Sequence, residues 1–125
     1  MSRTVLVVED GDQAAPLEIA LARLDQVSVL VAWDGREALR LIQSLSLELA
    51  ALVTDLHLPF VDGFELVEGV RLQPRYASLP VIVISGDTHP DTAGRLEQLG
   101  TNAFFPKPYS PAAICQSLED LWHAQ

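Results

Sequence analysis

The chain reads as an α/β domain in which five buried strands alternate with helices around one parallel sheet. Three observations lead there. Five short apolar runs recur along 125 residues: VLVV at 5–8, VSVLVA at 27–32, ALVT at 51–54, VIVI at 81–84 and AFF at 103–105. They show little of the polar alternation of a half-solvated strand, so they read as strands buried on both faces, the habit of parallel sheets. Between them lie segments whose apolar residues recur at helical spacing. Five such alternations, joined by right-handed crossovers, place helices on both faces of the sheet.

The first helical segment carries Leu17, Ala20, Leu21 and Leu24 on one face, with Pro16 suited to its opening turn. The second carries Ala38, Leu41, Ile42 and Leu45. In the third, Phe64, Val67 and Val70 point inward, and Glu65, Glu68 and Arg71 outward. The fourth, around Asp91 to Leu99, has only Ala93, Leu96 and Leu99 to bury, and Gly100 suits its C-terminus. The last shows Ala112, Cys115, Leu118 and Trp122, reinforced by Ile114 and Leu121. No repeat, linker or low-complexity tract interrupts the pattern, so residues 1–125 read as a single domain with its core at about 4–121.

Composition narrows the function. Eight cations against seventeen carboxylates give a net charge of −9, which argues against direct nucleic-acid binding, since phosphate contacts need clustered Lys or Arg. No apolar run approaches the roughly 20 residues that span a bilayer, so no membrane partner is expected. The segment MSRTVLVVED has too short an apolar stretch for a signal peptide. A single cysteine, Cys115, excludes an internal disulfide and falls on an apolar helix face, as a core residue would. The expected compartment is the cytoplasm.

The chemistry gathers where the strands end. Open α/β sheets bind ligands outside the carboxyl ends of their strands. Glu9 and Asp10 follow the first strand, Asp55 the third, Ser85, Gly86 and Asp87 the fourth, and Lys107 the fifth. Trp33, Asp34 and Gly35 follow the second, and Asp34, like Asp12, reads as a helix cap or turn residue. Ser85 alone is equally a turn former before Gly86. Lys107 is the only lysine; the other seven cations are arginine. Lysine offers a compact point charge and arginine a planar fork, so the exception marks a place where a point charge is wanted. Carboxylates without His or Cys suit a hard cation such as Mg2+ that takes phosphate as a further ligand. A carboxylate is also a nucleophile toward phosphorus, and a hydroxyl and an ammonium neutralise phosphoryl oxygens.

These pieces, VLVVEDG, AWDGREALRLI, LVTDLHLPFVDGFELV, PVIVISGD and AFFPKPYS, stand in the order and spacing of a known family. From Thr4 to about Leu121 the chain resembles the receiver domain of two-component response regulators. The resemblance implies a flavodoxin-like (CheY-like) doubly wound sheet of five strands in order 2-1-3-4-5 with five helices. It implies Asp55 as phosphoacceptor, Asp10 as direct Mg2+ ligand with Asp55 and the His57 backbone carbonyl, and Glu9 as a ligand through water. Ser85 matches the switch hydroxyl, Phe104 the switch aromatic, and Lys107 the phosphate-pairing lysine, followed by a cis Lys107–Pro108 bond. His57 and Asp87 occupy two positions that tune hydrolysis of the phosphoryl group; His57 also reads simply as a solvent-facing loop residue. Departures are Phe104 where Tyr is frequent, and Ser85 followed by Gly86 where Thr and Ala are common.

The implied function is a phosphorylation switch that is not an enzyme toward external substrates. The donor is a sensor histidine kinase or phosphotransfer protein. The readout is an effector or a second copy on the face of the fourth helix, fifth strand and fifth helix, which carries Phe104, Pro108, Tyr109 and Pro111. Competing readings are a phosphatase or phosphotransferase, for which no insertion is long enough to cap a substrate, and a degenerate receiver acting as a phosphate-independent module. The intact set of Asp10, Asp55, Ser85 and Lys107 argues against the latter. With only HAQ after Trp122, the chain reads as a stand-alone regulator, or as a receiver segment of a hybrid histidine kinase or of a longer regulator.

Overall fold

The computed structural model describes residues 2–124, with backbone only at Gly11 and Asp12, so the capping role expected of Asp12 lies outside the described residues. Strands β1 (Arg3–Val8), β2 (Val27–Ala32), β3 (Ala51–Asp55), β4 (Val81–Ser85) and β5 (Ala103–Pro106) form one parallel sheet in order β2-β1-β3-β4-β5. Helices α1 (Ala15–Ala22), α2 (Gly35–Gln43), α3 (Gly63–Arg71), α4 (Thr92–Gln98) and α5 (Pro111–His123) connect them, with 3-10 turns at Gly11–Ala14 and Pro74–Tyr76.

Strand side chains alternate between two core layers, as the pleat requires. Leu6, Val8, Leu52, Val81 and Val83 pack with residues of α2, α3 and α4. Val5, Val7, Ala51, Val53, Ile82 and Ile84 face α1 and α5. Burial on both faces holds for β3 and β4 throughout and for β1 from Val5 onward. Edge strands β2 and β5 are mostly half-buried, because each has a neighbour on one side only.

Helix starts follow local chemistry. Asp34 Oδ1 accepts the Glu37 N–H at 2.8 Å, Asp62 Oδ1 accepts the Glu65 N–H at 2.9 Å, and Ser110 Oγ accepts the Ala113 N–H at 3.2 Å. At α2 and α3 the cap is followed by a glycine in close contact. A Cβ on Gly35 would lie 1.8 Å from the Val61 carbonyl oxygen, and one on Gly63 would lie 2.5 Å from the Asp55 carbonyl oxygen. The loop leaving β3 is therefore clamped between two helix N-termini.

Several expected core positions are corrected. Leu45 is 88% exposed, because α2 ends at Gln43 and Ser44 is already extended. In α4, Thr92 and Leu96 are buried while Ala93 is exposed, since the seven-residue helix meets the sheet along a shifted stripe. Leu66 is fully buried and Phe64 only half-buried, which turns the inward face of α3 by one position. Ala112 sits exposed in the first turn of α5, while Ile114, Cys115, Leu118 and Trp122 are buried. Arg71 is half-buried, donating to the carbonyls of Tyr76 at 3.0 Å and Gly100 at 2.6 Å. Among the described residues, no helix is long and apolar enough to cross a membrane.

Candidate functional site

The carboxyl edge of the three central strands brings the chemistry together. Glu9 follows β1 and is 1% exposed, Asp55 ends β3 at 8%, and Ser85 ends β4 fully buried. Strand β5 then delivers Lys107, whose backbone N–H donates to the Ser85 carbonyl at 2.9 Å and so continues the ladder. The Lys107–Pro108 peptide bond is cis.

Lys107 is the hub. Its Nζ stands 2.6 Å from Asp55 Oδ2, 3.0 Å from Glu9 Oε1 and 3.3 Å from Gln13 Oε1. Three acceptors thus surround an ammonium with three protons. Burial works to lower its pKa, but the hydrogen bonds and negative charges of Asp55 and Glu9 outweigh burial and hold it above the ordinary lysine value. Asp55 Oδ1 accepts the backbone N–H of His57 at 3.2 Å. Asp10, next to Glu9 in the chain, is exposed.

A second set borders Asp55. His57 Nε2 lies 3.4 Å from Asp87 Oδ2, and the Asp87 N–H donates to Ser85 Oγ at 3.0 Å. The His89 N–H donates to Asp87 Oδ1 at 2.8 Å. That bond, ahead of the neighbouring imidazoles, holds the Asp87 carboxyl below its ordinary pKa. The exposed imidazole of His57 is thus paired with Asp87. Phe104 is half-buried, packed against the core layer of α2, α3 and α4, and pairs with Val83 in the sheet.

Two contacts escaped the sequence. Gln13 reaches Lys107, and Tyr109 donates its hydroxyl to Glu9 Oε2 at 3.1 Å. Burial, then the charge of Glu9, push the Tyr109 phenol well above its ordinary pKa. Gln13 carries no signal beyond being polar near a strand end. Tyr109 stands two residues past Lys107, where the sequence places it on an outward docking face. Of that face, Pro108 is exposed, whereas Phe104, Tyr109 and Pro111 are half-buried.

The donors present suit a hard cation. Asp10, Asp55 and Glu9 offer oxygen only, and the two carboxylates of Glu9 and Asp55 share one ammonium, leaving surplus negative charge. Among the described residues, no three His, Cys, Asp or Glu side chains already form a metal cage.

Residues 5–119 match the family model of the response regulator receiver domain. The chain belongs to this family. A chemotaxis protein CheY homolog of Campylobacter jejuni is 30% identical to the receiver domain over 118 residues, covering 94% of this chain and 90% of the relative. The chemotaxis response regulator CheY4 of Vibrio cholerae superposes with a TM-score of 0.83 at 26% identity, covering 97% of this chain and 99% of that one. The receiver domain of a sensor histidine kinase from Pseudomonas aeruginosa, solved with a magnesium ion coordinated in its active site cleft, shares the fold. Its TM-score is 0.78 at 24% identity, covering 97% of this chain and 98% of that one.

Proposed function

We propose that this receiver domain accepts a phosphoryl group on Asp55 and relays its presence to a partner-binding face. The observation that carries the reading is the Lys107 ammonium, 2.6 Å from Asp55 Oδ2 and 3.0 Å from Glu9 Oε1 at the carboxyl edge of the sheet. A point charge there neutralises what a phosphoryl group on Asp55 would add. Asp10, Asp55 and the His57 carbonyl would hold Mg2+, with Glu9 acting through water; bound there, the ion supplies charge neutralisation for the transferred group.

The donor is a phosphohistidine of a sensor histidine kinase or phosphotransfer protein, or a small acyl phosphate. An Asp55 carboxylate oxygen forms a bond to phosphorus as the bond from phosphorus to the donor breaks, and the donor leaves with that electron pair. Lys107 then shifts its hydrogen bonds toward the new oxygens. Ser85 Oγ, which accepts the Asp87 N–H, turns its own O–H toward them, and that movement reshapes the turn leading into α4. Phe104, half-buried beside Val83, follows into the space that Ser85 leaves, changing the face of α4, β5 and α5 that an effector or second copy reads. His57 and Asp87, joined across the acceptor, tune the access of water. The chain acts on its own Asp55 and on no external substrate, in the cytoplasm.

The test is intact mass after incubation with Mg2+ and acetyl phosphate, beside the Asp55→Asn variant. One added phosphoryl group on the wild type alone is expected. Equal labelling of Asp55→Asn removes Asp55 from its role.

A further inference from the structure

Glu9 is the most deeply buried carboxylate of the site at 1% exposed, and both of its oxygens are engaged. Lys107 holds Oε1 at 3.0 Å, and the Tyr109 hydroxyl holds Oε2 at 3.1 Å. Lys107 is shared: it also serves Asp55, and phosphorylation would draw it further that way. The Tyr109 hydroxyl makes no such double commitment; Glu9 is its acceptor. The tyrosine ring meanwhile packs against the core layer of α1 and α5, so the hydroxyl is set by the fold rather than free to swing. A phenol is a donor throughout the neutral range.

We propose that Tyr109 is a positioning residue of the phosphoacceptor site, its hydroxyl holding Glu9 Oε2 so that Oε1 stays turned toward Lys107. A buried carboxylate stripped of one of its two donors is left with an unpaired oxygen, and rotating toward another partner relieves that cost. That rotation takes Oε1 off Lys107 and moves negative charge away from the edge that Glu9 shares with Asp55. Tyr109 therefore acts through Glu9 on cation affinity, and not on the transfer step, which uses Asp55 and Lys107. The inference rests on the phosphoacceptor reading.

The experiment compares wild type, Tyr109→Phe, Glu9→Gln and the double variant. Mg2+ affinity is measured by calorimetry, and the Mg2+ dependence of acetyl-phosphate labelling by mass. Tyr109→Phe keeps the ring, so its urea midpoint checks folding. It is expected to weaken Mg2+ about tenfold, the usual cost of losing a hydrogen-bond partner behind a metal site. The labelling rate at saturating Mg2+ should stay within about twofold. In the Glu9→Gln background, Tyr109→Phe should change nothing further, because the two residues act as one unit. Unchanged or tighter Mg2+ binding by Tyr109→Phe, or full additivity with Glu9→Gln, overturns the inference while leaving Asp55 as acceptor. A wild type that binds no Mg2+ and takes no phosphate overturns the phosphoacceptor reading and this inference with it.

Discussion

Gly63 is the position where fold and site meet most tightly, and Gly63→Ala is a sharp test of how the acceptor is held. An added Cβ would lie 2.5 Å from the Asp55 carbonyl oxygen, 2.6 Å from Leu56 Cα and 3.0 Å from Leu56 Cδ2. Ordinary contact begins near 3.4 Å, so about 0.9 Å must be found against the nearest atom. That atom and the next are backbone, which cannot rotate aside. Overpacking costs about 1–3 kcal/mol, and the rigid neighbours put this case near 3. For a domain of this size that lowers Tm by about 10 °C. The atom displaced belongs to Asp55, the proposed acceptor, and a shift of about 1 Å at a reacting centre slows reaction about 100-fold. Urea unfolding and the rate of acetyl-phosphate labelling read the two effects. Gly94→Ala is the control: nothing lies within 4 Å of its added Cβ. Inside α4, alanine should stabilise by about 0.5–1 kcal/mol with labelling unchanged. If Gly63→Ala behaves like Gly94→Ala, the close approach does not govern the site and the reasoning fails.

Three further outcomes are expected. Lys107→Arg keeps the charge but replaces a point surrounded by three oxygens with a fork; labelling should fall about 100-fold with the fold retained, and a rate near wild type would deny the need for a point charge. Arg71→Lys gives up the fork that joins Tyr76, Gly100 and Asn102; it should cost about 2 kcal/mol in urea unfolding and leave labelling intact. Lys107 and Tyr109 both have folded-state pKa values above their ordinary ones, so the protons they hold favour the folded state. That contribution is complete below about pH 10 and is lost as pH rises through the folded values. Stability should therefore drop above about pH 10, less so in Tyr109→Phe, and equal drops in the two proteins would contradict the phenol's part.

The parallel sheet and its two-layer core were legible because burial on both faces leaves a plain mark: VIVI and ALVT carry no polar alternation, and every residue of β4 and β3 is buried. The edge strands were overread, since a run such as VSVLVA looks the same at an edge as at the centre. Helix faces failed where helices are short. In α4 two buried residues decide the orientation, so the periodic signal of Ala93, Leu96 and Leu99 was too weak to set it. The site residues at strand ends were legible one by one, and the structure brings Glu9, Asp55, Ser85 and Lys107 to one edge. What stayed hidden was pairing between distant segments. Tyr109 to Glu9 spans 100 positions and Gln13 to Lys107 spans 94, and no local pattern encodes such a partner.

The division between arginine and lysine is where composition turns into mechanism. Arg3, Arg36, Arg75 and Arg95 lie over the rings of Trp122, Phe60, Tyr76 and Phe64, 3.9 to 4.6 Å from the centroids. Arg75 also gathers the carbonyls of Ile42, Ser44 and Leu47, and Arg71 those of Tyr76 and Gly100. Five of seven arginines thus use a planar fork to stack or to bridge backbone, work that an ammonium does poorly. There the charge acts together with the shape of the fork, over a ring face or along a row of carbonyls. At Lys107 the charge is the purpose: two carboxylates converge on one atom, and the proposed phosphoryl group would add a third charge there. A fork locked between two oxygens by parallel hydrogen bonds resists such a change, whereas an ammonium on a flexible stem follows the charge as it moves. On the phosphoacceptor reading, the lone lysine stands just past β5 where charge varies with time.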